Sequence, residues 1–440
     1  MNRFPSYLFS CLLLVGFINT TANGQTYIGG IVDNHAGVHS LLLNPANTVG
    51  SKMRWDINLF SASAFVGSDY LSVDLRNLES FSNGFQIKSR GDNPSNHNNF
   101  FGNADILGPS ALFNLDQKNS FAFTTRARAF FNITNLGGDL YELVNLDYNG
   151  KTNFNVTMED ASGLVHAWAE IGATYGRLIM ANDTHALNGG VTLKYLVGAG
   201  STYGSSQLLN AQFDSESNLL TTSGILNYGY TSGFDSDHIT FSDIKSGFGA
   251  DIGLAYEFKE QNVNTYYYPY KFKLGVSVMD IGAINYGGTN QSTYATDGSI
   301  DISQFDYKNL EEILEDNFSS SQVTGKTKMR LPTSVQFFAD YNINGKFFVS
   351  AQGAVSVKSN AEIPVNKLIN SFTLTPRFEK RWISIYSPLS VRQYDSRVAW
   401  GIGLRTGPVL FGSGSVLTNL LSNNSKSTDA YVVVKVPLYK

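Results

Sequence analysis

From Ser120 to Ile133 apolar side chains fall on every second residue, and this alternation, more than any other feature, restricts what the chain can fold into. Phe121, Phe123, Thr125, Ala127, Ala129 and Phe131 take one face, while Thr124, Arg126, Arg128 and Asn132 take the other. Successive side chains of a β-strand point to opposite faces, so the segment reads as a strand with one side for an apolar medium and one for polar partners. The split recurs where Val165, Ala167, Ala169, Ile171, Ala173 and Tyr175 oppose His166, Glu170 and Thr174. It recurs again where Phe248, Ala250, Ile252, Leu254 and Tyr256 oppose Gly249, Asp251 and Glu257, and where Phe272, Leu274, Val276 and Val278 oppose Lys271, Lys273 and Ser277. Such runs outlast the roughly five or six residues of an ordinary soluble strand.

Followed along the chain, the pattern predicts about fourteen strands, an even number as a closed bacterial barrel requires. Short turns at Asp116–Asn119, Ala181–His185, Asn344–Gly345, Lys380–Arg381 and Thr406–Gly407 alternate with longer connections, the longest near 67–102, 134–161, 204–238 and 285–331. Short periplasmic turns and long extracellular loops, with both termini on the periplasmic side, produce that rhythm. The spacing of Leu310, Ile313 and Leu314 predicts one helical insertion over Leu310–Phe318. Past the first residues no stretch reaches the roughly 18 to 20 apolar residues of a transmembrane helix. A barrel strand shows lipid only its alternate residues, so a mean hydropathy of -0.12 suits it. The expected fold class is therefore all-β, a transmembrane antiparallel β-barrel with long extracellular loops in the bacterial cell outer membrane.

Charged residues make up 15% of the chain, below the roughly 25% of a soluble domain, and a net charge of -4 without charge runs gives no reason to expect a nucleic-acid partner. Arg3, the apolar stretch Leu8–Phe17 and the small residues Ala22-Asn23-Gly24 read as a signal peptide over 1–24, with the mature chain starting at Gln25. The one cysteine, Cys11, lies inside that leader, so the mature chain has no disulfide and closed strand pairing has to stabilise it.

Several blocks carry a family resemblance: Val38-His39-Ser40-Leu41-Leu42-Leu43-Asn44-Pro45-Ala46-Asn47, Leu107-Gly108-Pro109-Ser110, Asp280-Ile281-Gly282-Ala283-Ile284, Leu374-Thr375-Pro376-Arg377-Phe378-Glu379 and Gly403-Leu404-Arg405-Thr406-Gly407-Pro408. In this order they resemble a Bacteroidota family of outer-membrane barrels without assigned function. Asn44-Pro45-Ala46 ahead of the barrel also resembles FadL-type long-chain fatty-acid channels and their PorV-like relatives. The resemblance implies a plug segment over 25–51, with Asn44, Pro45 and Ala46 as its motif, ahead of a barrel over 52–440. It also implies a kinked wall, and Gly108 and Pro109 are the candidate kink; the plain alternative is that the strand begins after the proline. Asp280 falls on the lipid-facing parity of its strand, which a bulge or an early strand end would resolve.

Charges expected to face the lumen are Arg126, Arg128, Lys194, Lys271, Lys273, Arg397 and Arg405 against Glu170, Asp251 and Glu257. Where water is scarce they would pair across strands; left unpaired, the arginines would form a basic lining for an anionic head group. His35 and His39, beside Asp33, would share a helix face suited to a metal, but no further ligand stands at a fitting spacing, so no metal or cofactor is expected and packing of the plug is the simpler role. Gly150-Lys151-Thr152 and Gly325-Lys326-Thr327 lack the upstream glycine of a phosphate loop, and no Gly-x-Ser-x-Gly occurs. The chain is not expected to be an enzyme. Two functions stay nearly level, passage of hydrophobic or amphipathic small molecules or a plugged barrel anchoring a secretion, motility or assembly complex, with a soluble exported β-protein such as an adhesin third. Expected partners are outer-membrane lipid and either a hydrophobic ligand or other outer-membrane or periplasmic proteins.

Overall fold

The computed structural model describes residues 26–73, 75, 87–88, 95–145, 152–231, 245–260, 270–357, 366–393 and 395–439. The leader expected over 1–24 lies outside them. Fourteen antiparallel strands close into one barrel. They are β1 (Met53–Ser68), β2 (Asn98–Leu107, resuming as Ser110–Asn114), β3 (Asn119–Leu136), β4 (Phe154–Ala181), β5 (His185–Asp214), β6 (Lys245–Phe258) and β7 (Phe272–Ala295). The wall continues with β8 (Ser334–Asn342), β9 (Phe347–Ser356), β10 (Ser371–Glu379), β11 (Ile383–Tyr386 and Leu389–Arg392), β12 (Asp395–Trp400 and Ile402–Thr406), β13 (Val409–Ser413) and β14 (Ser427–Tyr439). Pairing of β1 with β14, from Met53 opposite Tyr439 to Gly67 opposite Ser427, removes both sheet edges.

Alternation sets which side chains face out. Phe121, Phe123, Ile171, Tyr175, Ile252, Leu254, Leu274 and Val276 are exposed on the outer surface, and Leu193 and Phe248 keep 66% and 74% of their area uncovered. A monomer in water does not bear a belt of that size, so the surrounding medium is hydrocarbon. Tight turns close one end of the barrel. The Asp116 carboxylate accepts from the Lys118 and Asn119 amides (2.6 and 2.7 Å), Asn182 does the same for Thr184 and His185, and Gly345 supplies the positive φ (78°) that its turn needs.

At the other end the sheet runs past the belt. The strand Leu219–Tyr230 occupies the slot above β6, pairing with β5 and β7, and Ser319–Arg330 pairs with β7 and continues β8 upward. Much of what sequence alone assigned to loops near 204–238 and 285–331 is therefore sheet. Outside the bilayer both faces of a strand meet polar surroundings, so apolar alternation fades there. The helical insertion is present as α1 (Leu310–Asn317), opened by a capping box between Asn309 and Glu312. Loop lengths do not alternate strictly either, since residues 259–271 join β6 to β7 at the tight-turn end.

Two irregularities face one another in the wall. In β7, Asp280 adopts φ 57° opposite the register shift between Ala250 and Ile252, so Met279 and Asp280 both point inward and Ile281 points out. The bulge resolves the parity conflict of Asp280. In the neighbouring strand Leu331-Pro332-Thr333 interrupts the ladder, and the Thr333 hydroxyl donates to the Asp280 carbonyl (2.8 Å) across the gap.

Candidate functional site

Residues 26–51 touch strands on opposite sides of the barrel, so the segment lies across the lumen. Glycines on the wall receive it. Gly176, Gly190 and Gly253 stand in one register row across β4, β5 and β6. A Cβ on Gly190 would come 2.3 Å from the Pro45 carbonyl carbon, one on Gly253 would come 2.1 Å from the Asn44 side-chain oxygen, and one on Gly176 would come 1.9 Å from the Thr48 hydroxyl. The turn Pro45–Thr48 rests on this bare patch. Asn44 anchors it, donating to the Leu254 and Val276 carbonyls (2.9 and 3.0 Å) while its own oxygen accepts from the Ala46 amide (2.9 Å). The Ser277 hydroxyl, next in the row, donates to the Leu43 carbonyl (2.7 Å). Glycine inside a strand signals close backbone approach, and that signal was available in the sequence.

Charges hold the rest of the segment. Asp33 pairs with Arg405 (2.8 Å) and accepts from the Tyr386 hydroxyl, and Asn34 donates to Glu379 (2.9 Å). Lys435 donates to the His35 and Ala36 carbonyls (2.5 and 2.9 Å) and pairs with Asp56 (3.2 Å), which in turn accepts from the Val38 amide (2.8 Å). Gly37 (φ 60°) is required there, since a Cβ would meet the Asp56 carboxylate at 1.9 Å. Burial drives the His39 imidazole down to about 3, so it sits neutral, its Nε2 2.9 Å from the Ser61 hydroxyl. Burial alone would raise Asp33, but Arg405, His35 and Tyr386 outweigh it and hold its carboxyl well below the usual range.

Asp33, His35 and Glu379 bring ligand atoms within 4.8 Å of one another. Both carboxylates are already neutralised by guanidinium groups, Asp33 by Arg405 and Glu379 by Arg377, so a cation would have to displace them. Residues 37–42 form a 3-10 turn, and His35 and His39 turn to different partners, Asp33 and Ser61.

Above the segment six neighbouring strands each contribute a charge to one buried belt. Arg126 donates to Asp105 (2.7 Å) and reaches Glu170 (3.3 Å); Arg128 meets Asp280 (2.8 Å); Lys194 bridges Asp251 (2.8 Å) and Asp280 (2.7 Å). Three cations (Arg126, Arg128, Lys194) stand against four carboxylates (Asp105, Glu170, Asp251, Asp280), so the belt is an ion-pair network and not a basic lining. The structure thus brings together Arg126, Arg128, Glu170, Lys194 and Asp251. Arg405 belongs to the group around Asp33. Lys273 pairs with Glu257 (3.4 Å) at the tight-turn rim. Lys271 and Arg397 do not line the lumen. Lys271 sits at that same rim beside Glu260 (3.5 Å), and Arg397 is exposed at the opposite one, donating to the Asn424 carbonyl (2.8 Å). Parity tells the side of a sheet but not the height along it.

Gly108 and Pro109 interrupt β2, and hydrogen bonds on both faces of the wall close the gap. Asn58 donates to the Leu107 and Gly108 carbonyls (3.0 and 2.9 Å), the Gly108 amide to the Thr125 carbonyl (2.8 Å) and the Thr125 hydroxyl to the Pro109 carbonyl (2.9 Å).

Three cavities succeed one another along the lumen. The first, at the tight-turn end, lies between residues 31–52 and the Tyr270, Phe338 and Asp340 side of the wall. The second lies between that segment and the charged belt, against Met279, Gln336 and Gln352. The third lies between Phe101, Asn132 and the inward-folded residues 367–370. Ile31 and Leu43 line both the first and the second, and Leu368 lines both the second and the third.

A family model described as "Family of unknown function (DUF5723)" matches residues 45–414. The chain belongs to this family. No curated protein matches it. Among solved structures it is similar to the toluene transporter TbuX of Ralstonia pickettii (12% identity, 92% of this chain and 95% of that chain, TM-score 0.42). It is similar also to a FadL homologue of Pseudomonas aeruginosa (10% identity, 94% and 97%, TM-score 0.42) and to the CymD monoaromatic hydrocarbon channel (12% identity, 92% and 94%, TM-score 0.42). At such identities no residue role transfers.

Sequence reasoning missed Asp105 of the belt and a second set of buried charges that includes Asp56, Asp340, Arg377, Glu379 and Lys435. Arg377 between Pro376 and Phe378, and Lys435 between Val434 and Val436, carry the signal of a charge on inward parity within an apolar strand.

Proposed function

We propose that the protein is a plugged passage in the bacterial outer membrane that admits uncharged hydrophobic or amphipathic small molecules. The row of cavities carries this reading. Ile31 and Leu43 line both of the first two cavities and Leu368 both of the last two, and apolar side chains at such junctions can rotate aside at low cost. The charged belt restricts the cargo, because four carboxylates facing three cations give no net attraction for an anionic head group. An I31A/L43A variant, reconstituted into vesicles, should pass a neutral apolar fluorophore several-fold faster than the wild type. An unchanged rate in a variant with normal barrel mobility on unheated gels would refute the reading and leave the protein as a plugged anchor for a larger complex. The many bonds tying residues 33–48 to the wall suit that second role.

A further inference from the structure

The outward face of the upward continuation of β8 changes character where the apolar belt ends. Tyr195, Phe248, Ala283 and Arg330 form one rank across four strands, with the Tyr195 and Phe248 rings edge-on at 5.7 Å. Below this rank the outward residues are Leu193, Ala250 and Ile281. Above it stand Val197, Ser246, Asn285 and Lys328, then Gly287 and Lys326. A rank bearing an aromatic pair, with hydrocarbon-type residues on one side and mostly polar ones on the other, marks the boundary of a bilayer.

Lys326, Lys328 and Arg330 are all exposed and alternate with the inward Thr327 and Met329, so the three cations stack on one face over about 13 Å, two residues per 6.5 Å step. These ranks contain no carboxylate, and Lys326 and Lys328 make no ion pair with any described residue. Ser319–Arg330 pairs with β7 on one edge alone among the described residues, so a head group can approach from the side as well as from above.

We propose that Lys326, Lys328 and Arg330 bind the phosphate groups of a phosphorylated lipid of the outer leaflet, whose acyl chains lie over Phe248, Ile281 and Leu193. The charge, its height at the end of the belt and the lack of an ion pair at Lys326 and Lys328 among the described residues all fit that occupant. The inference rests on the outer-membrane reading above. A competing role is edge protection, in which exposed lysines stop strand-to-strand association between copies.

The test uses the protein extracted from membranes in a mild non-ionic detergent, with native mass spectrometry against a diphosphorylated glycolipid and its dephosphorylated form. The wild type should prefer the phosphorylated form. A K326S/K328S/R330S variant, whose changes lie on the outer surface and whose barrel is checked by gel mobility, should bind it about a hundredfold more weakly. Equal binding by wild type and variant, or equal binding of the two glycolipids, would overturn the proposal. So would displacement by millimolar inorganic phosphate, which would make it a site for the free ion. A variant that dimerises while lipid binding is unchanged would assign the lysines to edge protection instead. Fractionation keeps the two readings apart: a wild-type protein found outside the outer membrane sinks the localisation itself, whereas correct fractionation with unaltered binding sinks the lipid site alone.

Discussion

Replacing Gly190 by alanine tests whether the lumen segment is held by a wall shaped to receive it. The new Cβ would lie 2.3 Å from the Pro45 carbonyl carbon, and 2.5 Å from both the Ala46 nitrogen and the Pro45 oxygen. All three are backbone atoms, so the turn has to retreat by about 1 Å instead of rotating a side chain away. Overpacking of this kind costs about 1–3 kcal/mol. The retreat also stretches the two hydrogen bonds from Asn44 to the Leu254 and Val276 carbonyls, each worth about 0.5–1.5 kcal/mol. A loss near 3 kcal/mol raises the displaced population about a hundredfold. The barrel ladder should be untouched, since alanine disturbs a strand less than glycine does and Gly190 has no positive φ. Thr48 is buried under the same patch, and a Thr48→Cys reporter in a Cys11→Ser background is the sole thiol. Its maleimide labelling should accelerate about a hundredfold when Gly190→Ala is added, with unchanged mobility on unheated gels. Labelling within twofold of the reference would show that the glycine row does not seat the turn.

Asp280→Ala should cost about 3–5 kcal/mol, measured as a fall in unfolding midpoint, because it removes the nearest carboxylate of buried Arg128 and one of the two that hold Lys194. A change below 1 kcal/mol would show that water reaches those cations. Acid should loosen the lumen segment through His39: its folded pKa of about 3 lies below the ordinary value near 6.5, so seating is fully supported above pH ~6.5 and weakens on the way down. By pH 4.5 the loss is about 2–3 kcal/mol, visible as rising bilayer conductance that His39→Gln abolishes, and a flat pH response in the wild type would contradict it. Asp33, held low by Arg405, His35 and Tyr386, adds its own loss only in stronger acid, below the usual carboxylate range. Asn58→Ala unseals the break at Gly108 and Pro109 by removing two side-chain donors, so hydrogen exchange at Leu107–Ser110 should quicken at least tenfold, and an unchanged rate would mean the break is closed by other means.

Alternation makes the barrel legible in the sequence itself, because hydrocarbon forces every second residue in the belt to be apolar, as in Phe121, Phe123, Ile171 and Leu193. It also placed Arg126, Arg128, Glu170, Lys194 and Asp251 on the inner face, since parity is a local property. Asp280 broke that rule, and the sequence registered the conflict without resolving it. What no local pattern contains is which inward charges meet, at what height, and against what. Lys271 and Arg397 share the parity of Arg128 and Arg405, yet strand ends lift them to the rims. The pairing of Asp33 with Arg405, the fit of Asn44–Thr48 over Gly176, Gly190 and Gly253, and the partition at Ile31 and Leu43 join residues distant in the chain. They depend on register around a closed sheet, which is settled only when the last strand meets the first.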